Sequence, residues 1–167
     1  YYFSKQPIKN IVVLGNNYIS DEEIIETARL EEYPSFVTTL SSSIKKRISK
    51  IPIIKDVQIK KSFGYVLTIE IEEYKVFFNI RSSNEYMLDD GSKLSELPYL
   101  ISVPILINYV PDDKLEKLTM KFSNVDYDTI LKISEIEYTP TDYDSERFLF
   151  YMRDGNEVYV TLNKIKE

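Results

Sequence analysis

Cysteine and histidine are both absent from the 167-residue sequence. Their absence excludes disulfide bonds, thiol nucleophiles, zinc sites of the usual ligand set and every acid–base mechanism that uses imidazole. It does not decide the compartment, because disulfide-free proteins occur both in the cytosol and outside the cell. Since much catalytic chemistry is removed in this way, we expect a protein that is not an enzyme and that binds no metal, cofactor or small-molecule substrate.

The sequence also lacks a long apolar run and a basic net charge. No stretch of about 18 apolar residues is present, so no membrane-spanning helix is predicted within the chain. The formal net charge of −6 disfavours binding to nucleic acid, whose phosphates attract basic surfaces. Residues 1–3 are aromatic, as is typical of a membrane interface. Residues 1–7 are therefore interpreted either as a membrane-proximal segment or as a floppy terminus.

Glycine is scarce, whereas aromatic residues are abundant. Only four glycines accompany fourteen tyrosines and eight phenylalanines, a composition that favours strands with half-buried faces. Hydrophobic residues make up 43% of the chain, which is enough to bury a core. We therefore expect an α+β fold, arranged as one large domain or two small ones.

Residues 8–73 predict one complete domain with the order β-α-α-β-β. The apolar run from Ile8 to Leu14 indicates a strand, and Ser20 with Glu23 forms a capping box for a first helix. One of the serines 41–43 is predicted to cap a second helix. Alternation of period two from residue 57 to residue 73 then predicts a hairpin that turns at residues 63–64. Two helices on one sheet form a complete two-layer core.

Residues 74–167 predict a second domain, which is mixed and β-rich with short helices. This part holds eleven basic and seventeen acidic residues, whereas residues 1–73 hold ten of each, so the whole excess negative charge lies after Glu73. Strands are predicted at 74–80, 86–88, 105–107 and 136–138, short helices at 114–122 (entered through Asp112 and Asp113) and 127–133, and a final hairpin at 148–152 and 158–162.

A basic strip is predicted on the second helix and the strand that follows it. Seven basic residues lie between positions 45 and 61, with Asp56 as the single acid among them. A solvated face is one interpretation, and contact with anionic lipid or an acidic partner is the other. The strip consists of Lys45, Lys46, Arg47, Lys50, Lys55, Lys60 and Lys61.

Three patterns resemble catalytic or metal sites, and each has a simpler interpretation. Ser42 and Lys45 match a Ser-x-x-Lys motif, but helix capping is favoured because this short chain lacks the other elements of that active site. Residues 142–146 resemble the start of a calcium loop whose later ligands are missing. The acid pairs at 22–23 and 112–113 fall at predicted helix starts and the pair at 89–90 falls in a predicted turn, although paired carboxylates also serve glycosidases.

The first half of the chain resembles a POTRA domain, a fold with the β-α-α-β-β order. The residues that carry this resemblance are 15–16, 19–24, 51–61 and 67–73. The second half is similar to the β domain of the FtsQ/DivIB family of bacterial cell-division proteins. The residues that carry this second resemblance are 88–91, 97–100, 133–140 and 152–158. One POTRA domain followed by that β domain is the layout of the family, and it implies domains at 8–73 and 74–167.

The resemblance implies a non-enzymatic scaffold of the divisome that binds division proteins of the FtsB/DivIC and FtsL types during septum formation. It also implies a single-pass cell-membrane protein whose extracytoplasmic part faces the cell wall at the septum. Family members continue past the position of Glu167 into a further helix and terminal strands, so we expect the β domain to be truncated here. The alternatives are a POTRA-bearing secretion or assembly protein and a cell-wall enzyme that uses carboxylates.

The final predicted hairpin supplies the candidate binding site. An exposed sheet edge binds a partner strand through main-chain hydrogen bonds, and neighbouring pockets provide selectivity. Arg147 is expected to pair with an acidic group on the incoming segment. The other edge candidates are Glu157, Val158, Tyr159, Val160, Thr161 and Leu162.

Overall fold

The computed structural model of the protein describes residues 6–97, 99 and 101–165. It separates into two compact units, one that ends at Tyr74 and one that begins at Lys75. Predictions that concern residues 1–5, 98, 100 and 166–167 lie outside the described residues. Both units combine helices with sheets, so the predicted α+β fold class is confirmed.

The first unit has the predicted β-α-α-β-β order. The elements are β1 (Asn10–Leu14), α1 (Asp21–Ala28), α2 (Ser41–Ile48), β2 (Ile54–Ser62) and β3 (Val66–Glu73). The sheet runs β1-β3-β2, with β1 parallel to the central strand and β2 antiparallel to it.

The core of the first unit follows from the two periodicities of its sequence. Val57, Leu67 and Ile69 are buried at alternating strand positions, as period two requires of a sheet with one covered face. The two helices contribute Ile24, Ala28, Ile44 and Ile48, which are all fully buried. Each large aliphatic side chain buried in this way stabilises the fold by about 1.5–3 kcal/mol.

The ends of the helices confirm one predicted cap and correct two others. Ser20 Oγ accepts a hydrogen bond from the Glu23 amide, as the capping box predicts. The N-cap of α2 is Leu40, whose carbonyl oxygen accepts from the amide of residue 44, so the prediction that a serine caps this helix is wrong. The serines instead occupy its first turn. Pro111 likewise precedes the helix for which Asp112 was the expected entry, and that acid is its first residue.

The second unit is built on one seven-stranded sheet. The elements are β4 (Val76–Ile80), β5 (Glu85–Leu88), β6 (Lys93–Leu94), β7 (Ile105–Leu106), α3 (Asp112–Ser123), α4 (Tyr127–Ile130), β8 (Ile133–Tyr138), β9 (Arg147–Met152), β10 (Glu157–Thr161) and a 3₁₀ turn (Leu162–Lys164). The strand order is β10-β9-β8-β7-β4-β5-β6, with β7 parallel to both of its neighbours.

The boundary between α4 and β8 and the presence of β6 are differences between the second unit and its prediction. The helix expected over 127–133 ends at Ile130, and Ile133 is the first residue of β8. Ile133 is buried where β8 pairs with β9, so sheet pairing overrides the local helical pattern. The two-residue strand β6 was not predicted, because so short a segment carries no periodicity.

Phe122 of α3 lies at the centre of the second unit's core. Its ring makes edge-on contacts with Phe77, Phe78 and Phe150, at centroid distances of 5.9, 6.0 and 5.9 Å. Two consecutive phenylalanines of β4 reach the same ring where the β4–β5 register shifts between Val76 and Phe78. Aromatic pairs in this geometry add about 0.5–1.5 kcal/mol each to the free energy of area burial. This packing fixes α3 against one face of the sheet.

Candidate functional site

Strand β10 is the outermost described strand at one end of the seven-stranded sheet. It pairs antiparallel with β9 through the predicted turn at Asp154 and Gly155, where the glycine has a φ of 90°. Positive φ is the reason a glycine serves here. Among the described residues no strand lies beyond β10. Its outward N–H and C=O groups are therefore the edge that the sequence predicted as a partner-binding site.

The two faces of β10 differ in character. Val158 and Val160 lie opposite Phe150 and Phe148 of β9, on the face that continues the core. Tyr159 lies on the other face and is 61% exposed. A partner strand added at this edge would thus meet an apolar face on one side and a polar, aromatic face on the other.

An apolar groove runs beside β10 on the core face. Its volume is about 240 Å³, and its lining residues include members of α3, α4, β8, β9 and β10. Val158, which lines it, is 43% exposed. Local sequence patterns do not predict this groove, because its walls come from positions far apart in the chain. The lining residues are Phe122, Val125, Thr129, Ile130, Ile133, Phe150, Met152, Val158, Val160 and Ile165.

Arg147 is already engaged on the opposite face. Its Nε donates a 2.8 Å hydrogen bond to the Thr139 carbonyl oxygen, and its guanidinium carbon lies 4.8 Å from the ring centroid of Tyr159. Stacking over a tyrosine ring favours a guanidinium. Nε is one of five N–H donors of the side chain. Arg147 is therefore held in one orientation at the edge, next to an exposed tyrosine.

The predicted edge extends one residue too far. Leu162 is fully buried in the 3₁₀ turn that ends the strand, and its amide donates to the Glu146 carbonyl oxygen at 3.2 Å. The assignment of Leu162 to the edge is wrong, because its side chain belongs to the core. The strand ends at Thr161, whose hydroxyl donates to Asp144 Oδ2 at 2.5 Å.

Acidic groups lie next to the edge on its polar face. Glu157 is exposed and lies opposite Tyr151 of β9. The Tyr151 hydroxyl donates a 2.6 Å hydrogen bond to Glu137 Oε2, and this bond raises the pKa of Tyr151 to about 12. The tyrosine therefore stays neutral at physiological pH and keeps β8 and β9 joined by their side chains.

The basic strip of the first unit is divided among separate contacts. Lys45 pairs with Asp56 at 3.1 Å, but Lys55 and Lys60 pair with acids of β3, which the hairpin places beside them. The sequence predicted Asp56 as the single acid among the seven bases of the strip. Cross-strand pairing corrects this, because it places two acids of β3 beside the strip as well. The β3 partners are Glu72 at 3.2 Å and Glu70 at 2.7 Å.

Two further cations of the strip donate hydrogen bonds to backbone carbonyl oxygens. Arg47 donates to the Ala28 carbonyl oxygen at 2.8 Å, at the C-terminal end of α1. Lys61 donates through Nζ to the carbonyl oxygens of Phe36 and Thr39. Burial lowers the pKa of Lys61. Lys46 and Lys50 are exposed, and they are the members of the strip most available to a ligand.

Residues whose patterns resembled catalytic or metal sites lie in the first turns of helices and in a hydrogen-bonded loop. Glu22 and Asp112 lie in the first turns of their helices, as predicted for acids near a positive helix end. In the 142–146 loop, Asp144 accepts from the Glu146 amide at 3.0 Å. Across the part of the chain that the structure describes, no group of three or more acidic side chains is placed to hold a metal ion.

None of the helices in the described residues is long and apolar enough to cross a bilayer.

Comparison with protein families matches the first unit to a defined domain. The family model of the POTRA domain, FtsQ-type, matches residues 6–74. These residues coincide with the β-α-α-β-β unit.

Comparison with curated proteins covers both units. The chain is 29% identical to the cell division protein DivIB of Brevibacillus brevis over 164 residues, which are 95% of this chain and 62% of that protein. It is 30% identical to DivIB of Bacillus subtilis over 163 residues, which are 95% of this chain and 61% of that protein. The chain thus spans about three-fifths of the length of these relatives.

A solved structure of the major extracytoplasmic domain of DivIB from Geobacillus stearothermophilus is also similar. Its sequence identity is 24% and its TM-score is 0.47, over 56% of this chain and 83% of that one. The FtsQ-type domain and the similarity to DivIB sequences through the second unit agree with the resemblance to cell-division proteins. The first unit matches an FtsQ-type POTRA domain, and both units are similar in sequence to cell division proteins DivIB.

Proposed function

We propose that this chain is a non-enzymatic, extracytoplasmic scaffold of the divisome that binds FtsB/DivIC-type and FtsL-type partners during septum formation. The names of its relatives, each a cell division protein DivIB, support a role in division. Scaffolding requires binding surfaces and no catalytic group. In the complete protein a single spanning helix would precede this part and hold it at the cell membrane, facing the wall.

The observation that carries this proposal is the open edge of β10. Exposed strands with few blocking charges tend to pair with a further strand, and β10 carries charge only at Glu157. A partner segment in extended conformation would form main-chain hydrogen bonds with β10. Its alternate side chains would enter the apolar groove, and the others would lie beside Arg147 and Tyr159.

The groove and Arg147 together predict the character of the partner segment. Apolar residues at every second position would fill the groove beside Val158 and Val160. An acidic residue on the other face would pair with the guanidinium of Arg147, whose stacking on Tyr159 reduces the entropy lost on binding. An extended segment that alternates apolar and polar residues, with one acid on its polar side, is therefore the expected ligand.

The test is a calorimetric titration of the extracytoplasmic segment of an FtsB/DivIC-type protein into this chain. Val158→Asp places a charge in the groove, and Arg147→Ala removes the guanidinium. Each should weaken binding at least tenfold, because a buried unpaired charge or a lost charged hydrogen bond costs about 1.5–3 kcal/mol. Tyr143→Ala is the matched control, since Tyr143 is fully exposed in the loop before β9. Equal affinities for all four proteins would refute the assignment of the site to this edge.

The same segment should be titrated into a longer chain that includes the terminal strands of the family. The resemblance implies a further helix and strands after this position, which would either pair with β10 or leave its edge to the partner. If the longer chain binds the segment more strongly, and Val158→Asp weakens binding in both chains, the two chains use the same sheet edge. Identical binding by the two chains would place the site upstream of β10.

The rival proposal of a carboxylate-based cell-wall enzyme is tested separately. Incubation with purified peptidoglycan, followed by chromatography of soluble fragments, should yield no product. A time-dependent product that is lost on Asp112→Asn or Glu22→Gln would favour the enzyme instead.

A further inference from the structure

A fully exposed phenylalanine stands at the tip of the β2–β3 hairpin. Phe63 has a relative exposure of 105%, although the turn is formed by Gly64, whose φ is 85°. A polar residue would satisfy the same turn. Phe63 makes no contribution to the core that the first unit needs for folding, so its apolar surface points to an external contact.

Phe63 lies at the rim of a cleft that is lined by aromatic rings and lysines. The cleft has a volume of about 690 Å³. It includes two lysines and, among its lining residues, no acid. We call this region the hairpin-end surface; it is lined by Lys9, Phe36, Lys61, Ser62, Phe63, Gly64 and Tyr65.

The hairpin-end surface is organised by contacts between its rings and its cations. The Phe36 and Tyr65 rings meet edge-on at 5.5 Å. Lys61 Nζ lies 4.9 Å from the Phe36 ring centroid, and Lys9 Nζ lies 5.3 Å from that of Tyr65. Each ammonium group is therefore held over an aromatic face. Positive charge and apolar surface alternate within a few ångströms of each other.

Further apolar side chains flank this surface. Val37 is 54% exposed and Leu40 is 62% exposed. They stand next in the chain to Phe36 and Thr39, the two residues whose carbonyl oxygens accept from Lys61. The hairpin tip and the loop before α2 thus present exposed apolar groups side by side.

The chain enters the first unit at this same end. The Gln6 carbonyl oxygen accepts a 2.8 Å hydrogen bond from the Phe36 amide, and the Lys9 amide donates to the Tyr65 carbonyl oxygen at 2.9 Å. Pro7 forms a bridge with Ser35. A membrane anchor that precedes residue 6, as the proposed function places it, would bring the hairpin-end surface to the bilayer.

We infer that the hairpin-end surface is a membrane-docking site, at which Phe63, Val37 and Leu40 enter the headgroup region of an anionic bilayer while Lys9 and Lys61 face lipid phosphates. Exposed aromatic and aliphatic groups beside lysines are the combination that binds such an interface. The lysines beside the apolar tip match the phosphates of an anionic bilayer, which the proposed anchor would bring to this end of the unit. Docking would fix the height and orientation of the POTRA unit above the membrane. This inference rests on the proposed anchoring, but its test does not.

The test uses this chain and sedimentation with vesicles of equimolar phosphatidylcholine and phosphatidylglycerol. Phe63→Ser should weaken binding about tenfold, the loss expected from one partly inserted aromatic side chain. Lys9→Gln should weaken it about fivefold, the loss expected for one lysine at an anionic surface, and raised salt should do the same. Pure phosphatidylcholine vesicles should bind the parent chain more weakly.

Two control variants come from the second unit. Tyr143→Ser removes an aromatic side chain as exposed as Phe63, and Lys132→Gln removes an exposed lysine. Both should bind vesicles as the parent does, and all variants should keep the parent's melting temperature. Equal loss in Tyr143→Ser and Phe63→Ser, or no vesicle binding by the parent, would overturn the inference.

A result that refutes membrane docking can be distinguished from a result that refutes the scaffold proposal. Phe63→Ser should leave the titration with the partner segment unchanged, because that site lies on β10. If Phe63→Ser instead weakened partner binding and the parent chain did not bind vesicles, the hairpin-end surface would be a protein-binding site. The inference of membrane docking would then be wrong.

Discussion

Glu73, the last residue of β3, accepts hydrogen bonds from the amide of Tyr18 with both of its carboxylate oxygens, at 3.2 and 3.0 Å. The amides of Asn17 and Ile19 donate to the same carboxylate, at 2.8 and 3.2 Å. A carboxylate that accepts several backbone N–H groups forms strong, charge-assisted hydrogen bonds. The end of the sheet thereby fixes the loop that leads into α1, and this loop determines where the capping serine begins the helix.

We therefore predict that Glu73→Gln destabilises the first unit by about 1–3 kcal/mol, because the amide removes an acceptor and turns an N–H toward backbone donors. Glu72→Gln is the matched control. Glu72 is the adjacent acid and forms an exposed pair with Lys55, and such pairs contribute about 0–1 kcal/mol. Urea unfolding of both variants measures the difference, and equal midpoints would contradict the role of Glu73.

A comparison of Gly15 with Gly64 distinguishes the cost of positive φ from the cost of a steric clash when a side chain is added. Both have positive φ, 84° and 85°, but a Cβ at Gly15 would lie 2.1 Å from the Ile71 carbonyl oxygen, whereas a Cβ at Gly64 meets nothing within 4 Å. Gly64→Ala should cost about 1–2 kcal/mol for the left-handed conformation alone. Gly15→Ala should cost clearly more, since β1 must shift away from β3. Thermal unfolding of the two variants measures this, and similar losses would show that the close approach does not matter.

The basic strip predicts unequal effects of neutralising its members. Arg47 is half-buried and binds the Ala28 carbonyl oxygen, so Arg47→Gln should destabilise the fold by about 1–3 kcal/mol. Lys46→Gln with Lys50→Gln should leave stability within about 0.5 kcal/mol, because both side chains are exposed. Chemical unfolding of the two proteins is the measurement. If the strip binds anionic lipid, the variant of Lys46 and Lys50 would show a loss of lipid binding while the fold stays stable.

The comparison of sequence with structure separates local information from long-range information. The hairpin at Phe63 and Gly64 and the capping box at Ser20 were predictable, because periodicity and capping depend on neighbours in the chain. Leu162 and Ile133 were assigned to the wrong elements, because contacts with distant residues decide their burial and pairing. A local pattern cannot weigh those contacts.

The same distinction applies to the candidate site. Exposed strand residues at the β10 edge were predicted from the final hairpin, whereas the groove beside it draws its walls from α3, α4, β9 and β10. Likewise, the stacking of Arg147 on Tyr159 depends on the register of β9 against β10. Sequence predicts which segments form an edge, and only the fold shows what lies next to it.

The bond between Thr161 and Asp144 predicts a pH dependence at the end of β10. The hydroxyl of Thr161 holds the pKa of Asp144 below its ordinary value, and the Glu146 amide acts in the same direction. A carboxyl with a lowered pKa stabilises the fold above its unfolded pKa, about 3.9, and this stabilisation is lost as the pH falls through the folded pKa. Thr161→Val should raise the pKa of Asp144.

Carbon-detected NMR titration of the Asp144 carboxyl in the parent and in Thr161→Val checks this prediction. The variant should also lose less stability than the parent as the pH falls below about 4, the unfolded pKa of the group, since less linkage remains. An unchanged Asp144 titration in the variant would mean that the hydroxyl does not contribute.

The last prediction concerns independent folding of the two units. The first unit has its own buried core of strand and helix residues, and the charge balance changes after Glu73. A domain with a complete core folds without its neighbour. Residues 6–74, produced alone, should therefore melt cooperatively and retain the dispersed amide spectrum of a packed α+β domain.

The matched control for this experiment is a shorter piece that ends at Gln58, within β2. It lacks β3, the central strand of the three-stranded sheet, and it should be unfolded. Circular dichroism melting and proton NMR of both pieces give the comparison. If residues 6–74 aggregated or lacked a cooperative transition while the full chain melted cooperatively, the first unit would depend on the second for its stability. The boundary at Tyr74 would then mark a change in contact density and not a domain limit.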